Sequence, residues 1–318
     1  MKKIKLAIVG ATGLVGKTVI DVLKEEGLIC DIELVLFASK NSSGKRMVVC
    51  GKEYKIFELD EKFEDMGIDY AIFSAGGSVS KQWVERFIKS GICVIDNTSV
   101  FRMSRNVPLV VPEINKNVIK FSDKLIANPN CSTIQLVVVL DKLRRLSQIE
   151  QVVISTYQSV SGAGRRALYD LDNATKHFFK EGIKNNIIAS IGDINNHGFC
   201  AEESKLMTEL GKILNDKTIK VCATAVRVPV GYCHGESVYI KFKNNINLTQ
   251  VFKALKCEYI EVLRHGIYFP VNVKGSNKTY VCRVRKVSKN ELLLFVIADN
   301  LRRGAAYNAV EILKYLIR

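Results

Sequence analysis

The apolar residues near the start of the chain predict a strand, a helix and a second strand in direct succession. Residues 4–9 form a short apolar run that ends at Gly10. Beyond the glycines that follow, apolar residues recur three or four positions apart, as on one buried face of a helix. They are Val15, Val19, Val22 and Leu23. A further apolar run, residues 32–37, predicts the second strand.

Strand and helix patterns continue to alternate up to about residue 96, which favours a parallel sheet. The segments concerned are predicted strands 70–74 and 92–96 and a predicted helix 79–89. After Cys131 the runs become longer, β-branched and often alternating, which favours a mostly antiparallel sheet. The predicted strands there are 151–158, 218–227, 236–243, 279–286 and 291–297, and the predicted helices are 134–146, 164–179, 202–214 and 301–317.

We therefore expect an α/β protein with two domains. Residues 1–130 are expected to form an N-terminal Rossmann-type parallel sheet domain. Residues 131–299 are expected to form an α+β domain with a largely antiparallel sheet. The amphipathic segment 300–318 is expected to pack back on the first domain and to complete it.

The glycines of the first turn indicate a dinucleotide site. Gly10, Gly13 and Gly16 stand between the first strand and the first helix. Such glycines let the backbone approach a pyrophosphate and let helix and strand pack closely, while the start of the helix attracts the phosphates. A plain tight turn is the alternative. The residues expected to bind the cofactor here are Gly10, Thr12, Gly13, Leu14 and Val15.

The second strand ends without the acidic residue that usually selects NAD. Hydroxyl groups, an amide and a lysine stand there instead, from Ser39, Lys40, Asn41 and Ser42. These groups suit the 2′-phosphate of NADP, so we expect NADP rather than NAD. An ordinary polar loop is the other interpretation.

One thiol lies at the predicted start of a buried helix. Residues 128–130, Asn-Pro-Asn, precede Cys131, and the apolar run 134–140 follows it. Asn130 is a natural N-cap, and the positive end of the helix dipole favours a thiolate. A chain without a metal obtains a strong nucleophile in this way. A cysteine that merely packs is the alternative, and the turn before the helix makes us favour catalysis.

A catalytic thiol needs a proton-transfer partner, and the chain has four histidines. His234 is the best placed, in a predicted turn between two strands of the second domain. Arg227 precedes that turn, and its planar guanidinium suits a carboxylate. The alternatives are that His234 has only a structural role and that Arg227 forms an ion pair at the surface. The other histidines are His177 on a predicted helix, His197 in a polar loop and His265 beside a charged helix end.

Charge and cysteine content restrict the class of protein. The formal charge of +15 comes from scattered Lys and Arg, so a solvated surface is preferred to a nucleic-acid site. Nine cysteines at wide spacings, without Cys-x-x-Cys, favour reduced thiols over disulfides or zinc. No apolar run has membrane-spanning length, and the first run is too short for a signal peptide. We expect a cytoplasmic protein with no metal, nucleic-acid or membrane partner.

Several segments together resemble the aspartate-β-semialdehyde dehydrogenases of the bacterial type. They are residues 10–16, 101–103, 128–135, 157–164, 227–237 and 299–306. The Asn-Cys-Ser-Thr-Ile-Gln segment and the Arg227–His234 spacing are specific, whereas the glycine turn alone is not. The resemblance implies the NADPH-dependent conversion of L-aspartyl 4-phosphate to L-aspartate 4-semialdehyde, with release of inorganic phosphate. It also implies a homodimer or homotetramer, a catalytic and dimerisation role for residues 131–299, and a place in lysine (diaminopimelate), methionine and threonine biosynthesis.

The resemblance further implies the roles of five residues in the chemistry. Cys131 is expected to be the acyl-thioester nucleophile, His234 the general acid/base and Gln158 the residue that orients the substrate. Arg227 is expected to hold the substrate carboxylate and Glu202 its ammonium group.

Phosphate and nicotinamide positions are carried over in the same way. Arg102 and Lys205 are expected to hold the departing phosphate, and Ser161, Gly162 and Asn300 to lie beside the nicotinamide. The chain departs from the family after the second strand. There it has Asn41 where an arginine is common, with Lys40 adjacent, so the strictness of the NADP preference stays open.

Four other interpretations remain. N-acetyl-glutamyl-phosphate reductases share the architecture but need no carboxylate for an ammonium group, and they usually have glycine where this chain has Asn130. A glyceraldehyde-phosphate dehydrogenase-like enzyme is expected to have a different cysteine context and to use NAD. A basic nucleic-acid-binding protein on a dinucleotide fold and a redox sensor come from other classes. Neither accounts for Gln158, Arg227 and His234 beside the thiol.

Overall fold

The computed structural model describes residues 3–317, apart from the side chain of residue 61. Residues 1, 2 and 318, which the predicted domains include, lie outside the described residues. The chain forms two compact units, Met1–Pro129 with Ala305–Arg318, and Asn130–Gly304. The sequence predicts domain boundaries after residues 130 and 299. In the structure, the C-terminal part of the first unit begins at residue 305 rather than at residue 300.

Within residues 3–129 and 305–317, the first unit is built on a seven-stranded sheet with the order β3-β4-β2-β1-β5-β6-β7. Its strands are β1 Ile4–Val9, β2 Ile32–Ala38, β3 Arg46–Val49, β4 Lys52–Glu58, β5 Tyr70–Phe73, β6 Cys93–Asp96 and β7 Leu125–Ala127. Neighbouring strands are parallel, except that β3 runs antiparallel to β4. The predicted Rossmann-type parallel sheet is confirmed. The sequence did not predict strands β3, β4 and β7.

Helices cover both faces of this sheet, which is why its strands are apolar on both sides. The helices of the chain are α1 Leu14–Glu25, α2 Gly77–Lys89, α3 Pro112–Asn115, α4 Cys131–Arg144, α5 Arg165–Asn173, α6 Ala201–Leu214, α7 Leu248–Leu255, α8 Pro270–Val273 and α9 Tyr307–Leu316. Leu6 and Ile8 of β1 pack with α1 and α9 on one face. Ala7 and Val9 pack with α2 on the other, because alternate residues of a strand point to opposite faces.

The second unit, residues 130–304, has a six-stranded sheet with the order β11-β12-β13-β10-β8-β9. Its strands are β8 Ile149–Gln158, β9 Lys220–Arg227, β10 His234–Phe242, β11 Ile260–Val262, β12 Thr279–Ser288 and β13 Glu291–Ala298. The central pairings are antiparallel, and only β8–β9 and β11–β12 are parallel. The expected α+β domain with a largely antiparallel sheet is therefore confirmed.

Helix α4 lies against one face of the second sheet, in contact with β8, β10 and β13. Almost all of its side chains are buried, so the helix is apolar on most sides rather than on one. Helix α6 packs beside α4 and against β9. The Glu203 carboxylate accepts hydrogen bonds from the backbone N–H groups of Cys200, at 2.8 Å, and Ala225, at 3.0 Å. These bonds fix the start of α6 to β9.

Three local predictions require correction. The predicted helix 164–179 ends at Asn173, because the Asp170 carboxylate accepts hydrogen bonds from the N–H groups of residues 177–179 and competes with helical bonding. His177 therefore lies in a loop. His234 is the first residue of β10 rather than part of a turn. The predicted helix 301–317 is divided into a π-helical turn, Arg302–Ala306, and α9.

None of the helices within residues 3–317 is long and apolar enough to cross a membrane. All nine cysteines are free thiols. Cys93, Cys222 and Cys282 lie in strands, as their apolar surroundings predict.

Candidate active site

The glycine turn of the first unit is shaped by backbone contacts that leave no room for side chains. A Cβ atom at Gly10, whose φ is +94°, would lie 2.9 Å from the carbonyl carbon and oxygen of Ser74. A Cβ atom at Gly16 would overlap the carbonyl oxygen of Gly10. Gly13 is the N-cap of α1 and offers no side-chain cap to the first turn. The turn therefore fits a bound pyrophosphate, which needs close backbone approach and the N–H groups of a helix start.

The polar loop after β2 lies at the same edge of the sheet. Strands β1 and β2 are parallel neighbours, and the N–H group of Gly10 donates to the carbonyl of Phe37 at 2.9 Å. Lys40–Ser42 form a short 3₁₀ turn capped by Ser39. Ser39, Lys40 and Asn41 are exposed, and Ser42 is half-buried. The predicted cofactor residues of this unit therefore stand together at the carboxyl ends of two adjacent strands.

Arg102 also lies at the carboxyl edge of the parallel sheet. Its Nε donates to the carbonyl of Asn128 at 2.9 Å, and its Nη2 donates to the carbonyl of Asn97 at 2.7 Å. Asn97 and Asn128 directly follow β6 and β7. The guanidinium is buried and held in one orientation.

Cys131 is the first residue of α4, as the sequence predicts. The side chain of Asn130 caps the helix by accepting hydrogen bonds from the N–H groups of Ser132, at 3.0 Å, and Thr133, at 3.3 Å. The thiol is half-buried. A Cβ atom at Gly304 would lie 2.8 Å from the Cβ atom of Cys131, so only glycine fits beside the thiol residue.

Glu202 connects the predicted site residues of the second unit. Its Oε1 accepts hydrogen bonds from Asn130 Nδ2, at 2.7 Å, and Gln158 Nε2, at 3.3 Å. Its Oε2 forms an ion pair with Lys205 Nζ at 2.9 Å. Burial raises the pKa of Glu202, but Lys205 and the hydrogen bond from Asn130 outweigh burial, so this pKa lies below its ordinary value. The side chain is therefore a buried carboxylate beside the cap of the thiol helix.

Arg227 and Gln158 are brought together by strand register. The two residues end the parallel strands β9 and β8 and are paired with each other. Arg227 Nη1 donates to the carbonyl of Ser159 at 2.7 Å. Burial lowers the pKa of Arg227, and the neighbouring Cys131 and Glu202 raise it only in part. The guanidinium therefore lies in the electrostatic neighbourhood of both the thiol and the carboxylate.

His234 is fully buried at the start of β10. Burial and the nearby Arg227 lower the pKa of its imidazole to about 3, so the ring is neutral near pH 7. A Cβ atom at Gly162 would lie 3.2 Å from His234 Nε2 and 3.0 Å from Arg227 Nη1. The Nε2 edge of the ring and the guanidinium therefore meet at Gly162.

Ser161 and Asn300 form a polar network behind the His234 ring. Asn300 Nδ2 donates to Ser161 Oγ at 3.0 Å, and Asn300 Oδ1 accepts from the N–H group of Cys233 at 3.0 Å. Ser159 completes the network, with its Oγ 3.0 Å from His234 Nδ1. The structure thus brings together Cys131, Gln158, Ser161, Gly162, Glu202, Lys205, Arg227, His234 and Asn300.

The remaining histidines lie elsewhere. His177, His197 and His265 are all exposed. His177 packs near the ring of Tyr169, and His197 belongs to a loop held by Asn195. Of the four histidines, only His234 contacts other predicted site residues.

Glu236 is a site residue that the sequence did not single out. It is fully buried on β10, and burial raises its pKa well above the ordinary value of 4.5, although the facing side chains of Gln135 and Ser132 lower it in part. Gln135 Nε2 also donates to the carbonyl of His234 at 3.3 Å. Burial therefore favours the protonated form of this carboxyl group, which lies beneath the first turn of α4. The signal was an acidic residue within a strand segment, two positions after His234.

Profiles of two protein families match the chain and cover both units. The semialdehyde dehydrogenase NAD binding domain matches residues 5–122, and the semialdehyde dehydrogenase dimerisation domain matches residues 140–303. Together with the glycine turn and the thiol site, they define an oxidoreductase of the semialdehyde dehydrogenase class.

Full-length relatives narrow the class further. The aspartate-semialdehyde dehydrogenase of Aquifex aeolicus is 43% identical, over 99% of this chain and 98% of that protein. The crystal structure of aspartate semialdehyde dehydrogenase II from Vibrio cholerae is 37% identical and superimposes with a TM-score of 0.93 over 99% of both chains. The same Vibrio cholerae enzyme complexed with ASA is 36% identical and also has a TM-score of 0.93, over 100% of this chain and 99% of that one. The chain belongs to the aspartate-semialdehyde dehydrogenase family, whose members are nucleotide-binding oxidoreductases of amino-acid biosynthesis.

The raised pKa of Glu236 predicts how stability depends on pH. Between the ordinary glutamate pKa and the raised folded pKa, the unfolded chain is ionised and the folded protein is not. Stability is therefore present at low pH and is lost as pH rises, by up to about 1.4 kcal/mol per pH unit from this group. We expect Glu236→Gln to remove this slope in urea unfolding measured from pH 7 to 8.5.

The window from pH 7 to 8.5 avoids the titration of His234, which lowers stability only below the ordinary histidine pKa of 6.5. Glu181→Gln, at an exposed position, serves as the control. Parallel pH dependence of Glu236→Gln and the unmodified protein would mean that Glu236 is ionised in the folded state.

Proposed function

We propose that this protein reduces L-aspartyl 4-phosphate to L-aspartate 4-semialdehyde with NADPH, through a thioester on Cys131 and with release of inorganic phosphate. The observation that carries the proposal is the position of Cys131. It begins α4 next to a carboxylate, Glu202, and a guanidinium, Arg227, which suit the two charged ends of an amino acid.

The first step is attack of the Cys131 thiolate on the acyl carbon. The new S–C bond forms, the bond from carbon to the phosphate oxygen breaks, and phosphate leaves. The helix start favours the thiolate and supplies backbone N–H groups for the oxyanion of the tetrahedral intermediate. Lys205, half-buried at 31% exposure, and Arg102 are the proposed ligands of the departing phosphate.

The second step reduces the thioester. Bound NADPH would supply the hydride that the acyl carbon accepts, which is chemistry that no side chain provides. The C–S bond then breaks, which releases the aldehyde and regenerates the Cys131 thiolate. His234 is the proposed acid/base group at the reacting oxygen, and Gln158 orients the acyl group. Burial keeps both side chains out of bulk water.

Substrate recognition follows from the charges of the second unit. Arg227 is proposed to bind the substrate carboxylate with its planar fork. Glu202 is proposed to bind the ammonium group, because it is a buried carboxylate whose pKa lies below its ordinary value. An acetylated amine has no charge for Glu202 to bind, so this carboxylate favours an aspartyl substrate over an N-acetyl-glutamyl one.

NADP is the proposed cofactor. Gly10, Thr12, Gly13, Leu14 and Val15 would hold its pyrophosphate, and Ser161, Gly162 and Asn300 would lie beside its nicotinamide. The hydroxyl groups and Lys40 of residues 39–43 offer donors and positive charge to a 2′-phosphate, and this segment itself contains no carboxylate. The nine free thiols fit a reducing compartment, so we propose the cytoplasm, with lysine (diaminopimelate), methionine and threonine biosynthesis as the pathways.

A homodimer through the second sheet is the proposed assembly, and a tetramer of such dimers is compatible with it. One face of this sheet packs on α4, while the other carries partly exposed apolar side chains. Val153, Tyr239 and Leu293 form one row across β8, β10 and β13. Tyr157, 43% exposed, and Phe295 stack beside that row with ring centroids 6.1 Å apart. A second copy of this chain would cover such a face.

Replacing Cys131 by Ala tests the thioester. We expect turnover to disappear while the affinity for NADP, measured by fluorescence titration, changes little, because the thiol belongs to the chemistry and not to the glycine turn. The assay follows NADPH formation from aspartate semialdehyde, NADP and phosphate, in parallel with NAD and with N-acetyl-glutamate semialdehyde. Near-normal turnover by the variant would exclude the thioester, and equal rates with NAD would exclude NADP selectivity.

Replacing Glu202 by Gln tests recognition of the ammonium group. We expect kcat/KM for aspartate semialdehyde to fall roughly 10- to 100-fold, the value of one charged hydrogen bond. Succinate semialdehyde lacks the amine, so its kcat/KM should fall much less. Equal losses for the two aldehydes would assign Glu202 a purely structural role. Glu181→Gln, at an exposed position, is the matched control.

Replacing Leu293 by Lys tests the assembly. A charge at the β13 end of the apolar row would be desolvated in a dimer, so we expect the variant to sediment as a monomer at micromolar concentration, where the unmodified protein is dimeric. Val287→Lys adds the same charge at a position 53% exposed on the neighbouring strand and should remain dimeric. A dimeric Leu293→Lys variant would place the interface elsewhere.

A further inference from the structure

Two donors from one residue converge on the same nitrogen of His234. The backbone N–H group of Ser159 points at His234 Nδ1 at 3.0 Å, and Ser159 Oγ lies 3.0 Å from the same atom. The backbone N–H group can only donate, so it faces a lone pair on Nδ1. A proton on Nδ1 would point at the hydrogen of this N–H group and be repelled by it.

The hydroxyl network behind the ring can supply a second donor to Nδ1. The N–H group of Cys233 fixes Asn300 Oδ1 as an acceptor, so Asn300 Nδ2 must be the donor to Ser161 Oγ at 3.0 Å. Ser161 Oγ can then donate to Ser159 Oγ, 3.1 Å away. Ser159 Oγ has two acceptors for its hydrogen, His234 Nδ1 at 3.0 Å and Asn300 Oδ1 at 3.1 Å. The backbone N–H group of Ser159 therefore fixes Nδ1 as an acceptor, and the hydroxyl group can add a second donor to it.

The other nitrogen of the ring, Nε2, faces Gly162. Nε2 is buried and makes no hydrogen bond within residues 3–317. It lies against Gly162, next to Arg227, whose charge disfavours an imidazolium there. Ser159 holds Arg227 as well, since its carbonyl accepts from Arg227 Nη1 at 2.7 Å. Ser159 therefore sets the positions of both the ring and the guanidinium.

We propose that Ser159 is a positioning residue that keeps His234 neutral with its proton on Nε2, so that the ring presents a hydrogen-bond donor to the substrate oxygen. This inference rests on the proposed function and specifies the form in which His234 enters it. At hydride transfer the ring donates a hydrogen bond from Nε2 to the oxygen that becomes anionic, and this Nε2 proton is the one that His234 can transfer as the acid. A neutral imidazole that polarises a carbonyl is an established catalytic device.

Nitrogen NMR on protein labelled with ¹⁵N-histidine tests the proposal without relying on turnover. The signals of His234 are assigned by their loss in His234→Asn. At pH 7 we expect a protonated Nε2 and an unprotonated, hydrogen-bonded Nδ1. Ser159→Ala should move the Nδ1 resonance toward that of a free acceptor nitrogen, whereas Ser288→Ala, at an exposed serine of the same unit, should not. A proton on Nδ1, or on both nitrogens, in the unmodified protein would overturn the proposal.

Steady-state kinetics separates positioning from structural support. We expect Ser159→Ala to lower kcat by roughly tenfold, the loss expected for one hydrogen bond, with KM for aspartate semialdehyde within twofold. The acid limb of its pH–rate profile should move to higher pH, because a donor to the neutral ring has been removed. Ser159→Thr keeps the hydroxyl group and should recover most of kcat, and Ser288→Ala should match the unmodified protein.

The kinetic outcomes distinguish this inference from the proposed function. If Cys131→Ala is inactive but Ser159→Ala keeps full kcat and an unshifted acid limb, the role of Ser159 is wrong and the thioester stands. If Cys131→Ala is active, the proposed function fails, whatever the form of the imidazole.

Discussion

The second unit depends on a carboxylate that is removed from water without being neutralised. Glu202 keeps its charge because Asn130, Gln158 and Lys205 all donate to it. Breaking such a buried arrangement is costly, since an uncompensated charge would remain. The same bonds tie the cap of α4, the end of β8 and the face of α6 to one point. The hydrogen bonds that compensate the charge of Glu202 therefore also fix the position of the thiol.

The polar site is possible because the rest of the second unit is strongly apolar. Helix α4 is buried on nearly every side between the sheet and its neighbouring helices, so its first residue cannot shift independently of the core. Gly304 packs on the Cβ atom of Cys131 and further restricts the position of this residue. A tightly packed interior of this kind transmits small displacements rather than absorbing them. The nucleophile is thus positioned by packing, and its surroundings by hydrogen bonds.

Much of the fold and of the site could be predicted from local patterns. The glycine turn, the Asn130 cap and the long apolar runs depend on neighbours in sequence, and these produced β1, α1 and the start of α4 correctly. What failed depended on distant partners. Asp170 ends α5 through bonds to a loop that no helical periodicity reveals. Ser159 and Glu236 acquire their importance only when β8 and β10 pair, so the sequence alone assigned neither of them a role.

The paired ends of β8 and β9 carry a consequence for how this family can change. Gln158 and Arg227 stand opposite each other at the last positions of a parallel ladder. Side chains alternate between the faces of a sheet, so the gain or loss of one residue in either strand would turn its terminal polar group to the opposite face. Selection should therefore remove length variation in these strands. The same constraint extends to Ile188 in the loop between α5 and α6, because its backbone exchanges two hydrogen bonds with that of Arg227, at 3.0 and 2.8 Å.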